Sequence, residues 1–378
     1  MNDRAARLRL IRSENVGPAT YRRLMGRYGS AEAALDAIPK LARDSGGTVP
    51  RIASVQAIAD EIGAVSAAGG RFILLGEPDY PPLLAQLADA PPALAVLGDI
   101  AVLHRRAVAI VGSRNASSNG LRIAEALAAE LGAAGLVVVS GLARGIDGAA
   151  HQGALHVGPT VACIAGGLDQ PYPAEHAALQ ARIAGRGAVV AEAPFGTIPQ
   201  SRHFPRRNRI IAGLSLGCVV IEAAPRSGSL ITADLALTYG RELFAVPGSP
   251  LDPRCRGSNN LLRQRHAHLV ENAADVLAEL PQTLPTLGPT GFAEGRNAWG
   301  ADAPEAWSEL AAVRQRVLSL LGPSPVSVDD LSRRCQFSTG AVLAVLTELE
   351  LGGHIESLPG NQISLLGSET DTTCSESE

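Results

Sequence analysis

Residues 107–151 carry the pattern that most constrains the fold of this chain. Two apolar runs end in small-residue turns, and each turn leads into a segment with apolar residues at helical spacing. The order strand, turn, helix, strand, turn, helix corresponds to residues 107–111, 112–119, 121–131, 136–139, 140–145 and from about 147 onwards. Short apolar runs of this kind predict strands buried on both faces. The repeat is the unit of a parallel sheet wound with helices on both sides.

The two turns of this repeat have similar composition. Gly112-Ser113-Arg114 follows the first strand, and Ser140-Gly141-Leu142-Ala143-Arg144-Gly145 follows the second. Backbone N–H groups at a helix start attract anions, and arginine is a strong partner for phosphate. Neither turn has GxGxxG spacing, and GxxxxGK[ST] does not occur. Glycines that only permit tight turns are the alternative, but an arginine in each turn favours an anion site.

The same alternation continues towards the carboxyl terminus. Strands are predicted at 160–165, 188–191, 216–221 and 243–246, with helices between them. Before the repeat, residues 72–75 and 93–97 predict an extra strand pair or edge extension, since several prolines between them disfavour a central position. Small and charged residues gather where the strands end, which is the edge where open α/β sheets bind ligands.

Three regions flank this core. Residues 1–65 are predicted to be all-α, with a Gly17-Pro18 hairpin typical of the SAM-like or helix-hairpin-helix class, whose backbone N–H groups can hold a phosphate or serve only as a structural cap. Residues 281–307 are rich in proline and glycine and predict a linker. Three helices and a hairpin over 308–366 predict a winged helix, and 367–378 a disordered tail. The core domain is therefore assigned to 66–280.

The recognition helix expected in this winged helix is unusual. It spans Ser338 to Leu351 and contains Glu348 and Glu350 but no arginine or lysine. Such a helix is a poor reader of a DNA groove, so a protein-contact or regulatory role is favoured over groove binding. Arg333 and Arg334 on the preceding helix form the strong basic pair of this domain. We therefore expect the 66–280 domain to hold most of any affinity for nucleic acid.

Charge and composition narrow the function. The net charge is −4, yet residues 104–280 hold 17 arginines, no lysine and 13 acidic residues, so a basic centre lies between acidic flanks. This distribution favours a local site for a polyanion. The five cysteines lack metal-ligand spacing and are interpreted as reduced thiols. No run of membrane length and no signal peptide is recognised, so a cytoplasmic protein is expected.

Two further segments match the chemistry of the turns. The stretch His203 to Ala212 places Arg206, Arg207, Asn208 and Arg209 at a predicted helix start. Ser227-Gly228-Ser229 is another glycine turn that opens a helix with free hydroxyls. Two carboxylates at strand ends, Asp147 and Asp169, are candidates for catalysis, although capping of a helix or pairing with an arginine is the favoured role of Asp147.

Taken together, these motifs resemble the DNA-processing protein A family (DprA, also called Smf). The residues that carry the resemblance cover roughly 72–280: Gly112-Ser113-Arg114, Ser140 to Asp147, Gly166-Gly167-Leu168-Asp169 with Tyr172-Pro173, Phe204-Pro205-x-Arg207-Asn208-Arg209 to Ser215, Ser227 to Ala233 and Phe244 to Gly248. The family's layout also fits, with a SAM-like start, an extended Rossmann domain and a winged-helix end. The expected fold class is therefore α/β, with an extended Rossmann-like parallel sheet between an all-α and a winged-helix domain.

The resemblance implies a binding protein that is not an enzyme and needs no cofactor or metal. Members bind single-stranded DNA, load the RecA recombinase during natural transformation, and form homodimers through the Rossmann domain. The family's DNA pocket corresponds to Gly112, Ser113, Arg114, Ser140, Gly141, Arg144, Gly145, Arg207, Asn208, Ser227 and Gly228. Arg202 stands near the position where a lysine often precedes the Phe-Pro motif. The neighbouring Arg206, Arg209 and Ser229 complete the predicted site.

Two other functions are considered. A Rossmann-like nucleotide phosphoribohydrolase would use similar turns with a catalytic glutamate, but its PGGxGTxxE segment is missing. A scaffold that acts only through protein contacts leaves the arginine-bearing turns unexplained. Because aromatic residues make up only 3% of the chain, base stacking is not expected to dominate. Replacement of Arg114 or Arg207 by alanine is expected to weaken DNA binding without unfolding the protein.

Overall fold

A computed structural model describes residues 2–284 and 307–366. The described residues divide into two compact units, one formed by residues 2–9 and 54–284 and the other by 10–53 and 307–366. The predicted tail and residues 285–306 of the predicted linker lie outside the described residues. Within the described part of the chain, none of the helices combines the length and apolar character needed to cross a membrane.

The secondary structure follows the predicted alternation. The helices are α1 (Asp3–Ile11), α2 (Pro18–Tyr28), α3 (Ala31–Asp44), α4 (Val55–Ala67), α5 (Pro82–Ala85), α6 (Ser118–Ala133), α7 (Ile146–Val157), α8 (Ala177–Arg186), α9 (His203–Leu214), α10 (Gly228–Thr238), α11 (Arg256–Arg263), α12 (Ala273–Glu279), α13 (Trp307–Leu320), α14 (Val328–Cys335) and α15 (Thr339–Leu351). The strands are β1 (Gly70–Leu74), β2 (Ala93–Gly98), β3 (Ala107–Gly112), β4 (Val137–Ser140), β5 (Thr160–Ile164), β6 (Ala188–Ala191), β7 (Gly217–Ile221), β8 (Glu242–Ala245), β9 (His268–Leu269), β10 (Val326–Ser327), β11 (Ile355–Leu358) and β12 (Gln362–Leu365).

A nine-stranded sheet forms the centre of the first unit, with the strand order β1-β2-β6-β5-β4-β3-β7-β8-β9. Seven neighbouring strands of this sheet are mutually parallel, namely β6, β5, β4, β3, β7, β8 and β9. The pair β1 and β2 is antiparallel and joins the edge through β6, which confirms the predicted edge extension.

Helices cover both faces of this sheet, and β3 contributes side chains to both. Val108 and Ile110 pack with Leu127 of α6 on one face. Ala109 points the other way, towards Ile210 of α9. Burial on both faces explains why the parallel strands are continuous apolar runs rather than alternating ones.

The strand order reverses at β3. The chain runs outwards from β3 through β4 and β5 to β6, and then returns to place β7 on the other side of β3. A crevice opens at such a switch point, outside the carboxyl ends of the strands. The turns that follow β3, β4 and β7 therefore meet at one edge of the sheet, where the predicted site residues lie.

The second unit combines the predicted winged helix with α2 and α3. Strands β10, β12 and β11 form a three-stranded sheet, and α13, α14 and α15 pack on it around residues such as Val313, Val345 and Ile363. Helix α15 begins after Ser338, whose hydroxyl accepts a hydrogen bond from the Ala341 N–H. The helix predicted at residues 338–351 is therefore confirmed.

Candidate nucleic-acid interface

The turn after β3 is held tightly against β7. A Cβ on Gly112 would lie 1.9 Å from the carbonyl oxygen of Ile221, so only glycine fits there. Arg114 is exposed, and its guanidinium lies 4.9 Å from the ring centroid of Phe204, within cation–π distance. The Ser113 hydroxyl accepts a hydrogen bond from the Asn115 N–H. The turn thus presents an arginine to solvent on an aromatic support.

The helix that follows this turn is already capped from within. Ser117 caps α6 by accepting a hydrogen bond from Gly120, and the Glu222 carboxylate accepts bonds from both the N–H and the hydroxyl of Ser117. Glu222 has a left-handed φ of 50°, which directs it into this position at the end of β7. A carboxylate of the protein therefore already lies at the start of α6, where the sequence predicts an external anion.

The turn after β4 is organised by Asp147. Its Oδ2 accepts hydrogen bonds from the N–H groups of Gly141 and Ala143, at 3.1 and 3.3 Å. Ser140 is fully buried and donates its hydroxyl to the Ile110 carbonyl, so it supports the turn from below. Burial raises the pKa of Asp147. The carboxylate thus has a structural role: it binds the turn that precedes α7, and the Arg207 guanidinium lies near enough to interact with it.

Two residues of this turn differ in accessibility. Gly145 has a φ of 74°, and a Cβ there would lie 2.2 Å from the Ser113 carbonyl oxygen, so the two turns are packed together. Arg144 is exposed and forms a two-pronged ion pair with Glu175, at 2.6 and 2.8 Å. Because the pair is exposed, it is weak, and a phosphate can compete with Glu175 for the arginine.

The four arginines near the start of α9 lie in two different environments. Arg202 and Arg206 are exposed. Arg207 is only 5% exposed and donates hydrogen bonds to the carbonyls of Gly141 and Cys163. Burial lowers the pKa of its guanidinium, while the Asp147 carboxylate opposes that shift. Arg207 is thus a buried link between α9 and the turn after β4, and its loss is expected to affect folding as well as binding.

Arg209 also faces the interior. Its guanidinium donates to the carbonyl of Asp89 and forms an ion pair with Glu192. The side chain is 4% exposed, which leaves it no surface for a phosphate. We therefore assign it a structural role and do not retain it among the proposed DNA contacts.

The start of α10 has two hydroxyl groups beside it and no side-chain cap. Ser227 precedes the helix and makes no side-chain capping hydrogen bond. The hydroxyls of Ser227 and Ser229 lie 2.7 Å apart, and Asn208 donates to the Gly228 carbonyl. Uncapped N–H groups beside two hydroxyls are well suited to an anion.

Two aromatic residues near these turns were not among the predicted site residues. The rings of Tyr172 and Phe204 lie 5.4 Å apart at an angle of 58°, and Tyr172 is 48% exposed. The guanidinium of Arg114 also lies over the ring of Phe204. The low aromatic content of the chain concealed this local concentration, although both residues belong to the motifs noted in the sequence. The surface formed by Tyr172, Phe204 and Arg114 is called the aromatic platform below.

The loop before α9 is anchored by Asp169. Its carboxylate accepts a hydrogen bond from the Gly196 N–H at 2.7 Å, and Gly167 donates to the Thr197 carbonyl at 3.0 Å. Glycine is required at position 166, since a Cβ there would lie 2.7 Å from Pro199. The second candidate catalytic carboxylate therefore also has a structural partner.

A third group of polar residues lies where β7 and β8 end. Ligand atoms of Glu222, Asp252 and Cys255 lie within 4.8 Å of one another, a grouping that the cysteine spacing does not reveal. Glu222 is bound by Ser117, and Asp252 is bound by Arg254 at 2.8 Å. Both carboxylates thus already have partners within the protein.

Comparison with known proteins identifies the family. The family model described as DNA recombination-mediator protein A matches residues 71–281. The chain belongs to this family. Models for a DprA-like N-terminal HHH domain and a DprA winged helix domain match residues 1–64 and 301–361. The predicted family and the predicted fold class are therefore confirmed.

Individual relatives agree with this assignment. The chain is 39% identical to Protein Smf of Escherichia coli over 294 residues, which is 76% of this chain and 75% of that protein. It is 42% identical to DNA processing protein DprA of Bacillus subtilis over 216 residues, 57% of this chain and 72% of the relative.

Two solved structures of family members also match. That of Streptococcus pneumoniae DprA superposes with a TM-score of 0.57 at 40% identity, covering 61% of this chain and 80% of that one. Helicobacter pylori DNA processing protein A, described by its single-stranded DNA binding mode, matches with a TM-score of 0.51 at 30% identity, covering 56% and 97%.

Proposed function

We propose that this protein binds single-stranded DNA at the carboxyl edge of its large sheet. The observation that carries the proposal is the aromatic platform, which combines an exposed arginine with two aromatic rings beside a switch-point crevice. An aromatic ring stacks on a base of any sequence, and an arginine binds the adjacent phosphate. The single-stranded DNA binding of the Helicobacter pylori relative supports the same function here.

The proposed contacts divide into an outer and an inner set. The outer residues are exposed or line the turns, and we assign them to phosphates and sugars: Gly112, Ser113, Arg114, Arg144, Gly145, Arg202, Arg206, Ser227 and Gly228. Ser229 is buried in the first turn of α10, and its hydroxyl lies beside that of Ser227. Ser140, Gly141, Arg207 and Asn208 lie beneath them and hold the turns in place. Tyr172 and Phe204 are added for base stacking.

The wider role that we propose follows from the family. The description of the family as a recombination mediator supports loading of RecA onto bound single strands, and the DNA-processing relatives support a role in natural transformation. We further propose a homodimer formed through the α/β unit and a cytoplasmic location. Co-purification with RecA and measurement of the mass in solution test the first and third of these points.

We favour a binding protein over a nucleotide phosphoribohydrolase. The carboxylates considered for catalysis, Asp147 and Asp169, both accept backbone hydrogen bonds that fix local turns. Incubation with nucleoside monophosphates separates the two functions, because release of a free base would support the enzyme. Binding of an oligonucleotide without base release would support the proposal.

Binding of single-stranded DNA is expected to weaken steeply as salt increases. Each phosphate neutralised on a single strand contributes roughly 0.7 to the slope of log affinity against log salt. Titration of a fluorescent oligonucleotide at several salt concentrations measures that slope. An affinity that stays constant between low and high salt would contradict a site built from arginines and helix starts.

Replacement of Arg114 by alanine is expected to weaken this binding by about tenfold or more while thermal stability is retained. The side chain is exposed, so its loss removes a charge-assisted contact and the cation on the Phe204 ring without opening the core. Arg182→Ala is the matched control, because it removes an exposed arginine from α8. Equal affinities for the two variants would place the DNA elsewhere.

The first unit alone is expected to retain most of the affinity. A protein of residues 54–284 keeps every proposed contact, whereas a protein that ends at Leu280 would leave residues 10–53 without the rest of their unit. Both the short protein and the full chain are titrated with one oligonucleotide at the same salt. A loss of more than about tenfold, or 1.4 kcal/mol, would show that the second unit belongs to the DNA site.

A further inference from the structure

A buried charged cluster lies inside the second unit, remote in sequence from the turns discussed above. Glu350 of α15 is 6% exposed, and Arg23 of α2 is 9% exposed. The fully buried Thr20 donates its hydroxyl to Oε2 of Glu350. The carboxylate of the winged helix thus lies against the N-terminal helices, and Ser357 of β11 is close enough to hydrogen-bond with it.

The partnership between Arg23 and Glu350 is incomplete. Nη1 of Arg23 lies 3.9 Å from Oε2 of Glu350, which is within ion-pair range but too far for a hydrogen bond. This nitrogen is buried and donates no hydrogen bond within the described residues. Burial lowers the pKa of Arg23 and raises that of Glu350, so the charged forms of both groups are poorly solvated. The buried Nη1 of Arg23 therefore has the Glu350 carboxylate as a nearby opposite charge but not as a hydrogen-bond acceptor.

The carboxylate also lies against the start of a helix. Helix α2 begins at Pro18, and the preceding residue, Gly17, provides no side-chain cap. A Cβ on Gly17 would lie 3.0 Å from Oε1 of Glu350, so a side chain at position 17 would crowd the carboxylate. The uncapped start of an eleven-residue helix favours a negative charge at this point.

We propose that residues 17–23 form a site for a phosphate group, which Glu350 fills as an internal substitute. A phosphate group offers more acceptor oxygens and more charge than a carboxylate. It can bind the Thr20 hydroxyl and the free Nη1 of Arg23 together, which Glu350 does not. The phosphate belongs either to a nucleic-acid backbone or to a free anion, and its entry displaces Glu350 from the helix start.

This site is separate from the one proposed at the sheet edge and does not depend on it. Displacement of Glu350 also removes the pairing that holds this end of α15 to α2. Entry of a phosphate therefore couples anion binding to the packing of the winged helix. In this structure the second unit is in the state in which the Glu350 carboxylate fills the phosphate site.

The test is rescue of a variant by phosphate. In the full chain, Glu350→Ala removes the substitute and leaves the site vacant, so its melting temperature is expected to fall and then to rise in a saturable way with inorganic phosphate. The double variant Arg23→Met/Glu350→Ala has no cation in the site and should show no saturable rise. Samples without phosphate receive chloride to the same ionic strength. Any general stabilisation of folded protein by phosphate would then raise the melting temperature of all variants equally. An equal response of all variants, or no response, would overturn the proposal.

A second measurement covers the case in which Glu350→Ala does not fold, and also separates the two sources. Glu350→Gln retains the shape of the side chain and removes its charge. In a protein that also carries Arg114→Ala, this change is expected to raise oligonucleotide affinity at least threefold at low salt, and Arg23→Met should abolish the gain. If inorganic phosphate raises the melting temperature but the oligonucleotide affinity does not increase, the ligand is a free anion. Absence of both effects would show that Glu350 is only a structural residue.

Discussion

Replacement of Arg207 by alanine is expected to destabilise the first unit by about 3–5 kcal/mol, because it breaks a buried network around a charged group. Its guanidinium donates to the carbonyls of Gly141 and Cys163 and lies near the buried carboxylate of Asp147. Truncation removes the guanidinium donor from two buried carbonyls and the neighbouring cation from one buried carboxylate. The turn that carries Arg144 then loses its support, so DNA binding should weaken together with stability.

This expectation replaces the one drawn from the sequence, in which Arg207→Ala weakens binding without unfolding. Urea denaturation of the wild type, Arg207→Ala and Arg206→Ala measures the difference. Arg206 is the matched control, since it precedes Arg207 on the same helix turn and is exposed. If Arg207→Ala had the unfolding midpoint of Arg206→Ala, the guanidinium would have no structural role and the sequence-based expectation would stand.

The arginines of α9 show which part of the candidate site could not be predicted from the sequence. The segment was recognised as a helix start rich in cations, and α9 does begin at His203. Which arginines face outwards depends on partners far along the chain, such as Gly141 for Arg207 and Asp89 for Arg209. Neighbouring arginines in the sequence cannot be told apart by residue type. Only the packing of α9 on the sheet determines which of them are buried and which are exposed.

The helix starts give a similar lesson. Turn composition predicted the positions of the turns after β3, β4 and β7, since apolar runs and glycines are local signals. It did not reveal that Glu222, 105 residues from Ser117, occupies the start of α6 while the start of α10 stays uncapped. A helix start attracts an anion in either case, but the anion can be a carboxylate of the same chain.

The winged helix shows the limit of interpreting charge without contacts. From the sequence, Glu348 and Glu350 are interpreted as carboxylates that would repel the phosphates of a DNA groove. Glu348 is bound by Arg314 at 2.7 Å, and Glu350 lies beside Arg23, so both carboxylates are inside the unit. Helical periodicity indicates that a face is buried, and it does not identify the segment that covers it.

Acidification from pH 7 to pH 5 is expected to remove about 2 kcal/mol of stability through His151 alone. This residue lies on α7 beneath the turn after β4, is fully buried, and contacts the Thr160 hydroxyl at 2.8 Å through Nδ1. Burial, with smaller contributions from His176 and Arg207, lowers its pKa from 6.5 to about 3. The imidazole is therefore neutral in the folded protein throughout this pH range.

The sign of the effect follows from which state binds the proton first. As the pH falls below 6.5, the unfolded chain protonates His151 while the folded protein does not, so unfolding is favoured. The contribution of the neutral His151 to the free energy of unfolding is essentially complete above pH 6.5. It is lost progressively as the pH falls towards 3. Denaturation of the wild type and His151→Asn at pH 7 and pH 5 measures it, since other groups titrate equally in both proteins. His156→Asn, an exposed histidine on the same helix, should keep the wild-type dependence, and an unchanged dependence in His151→Asn would show that the buried imidazole is not the group responsible.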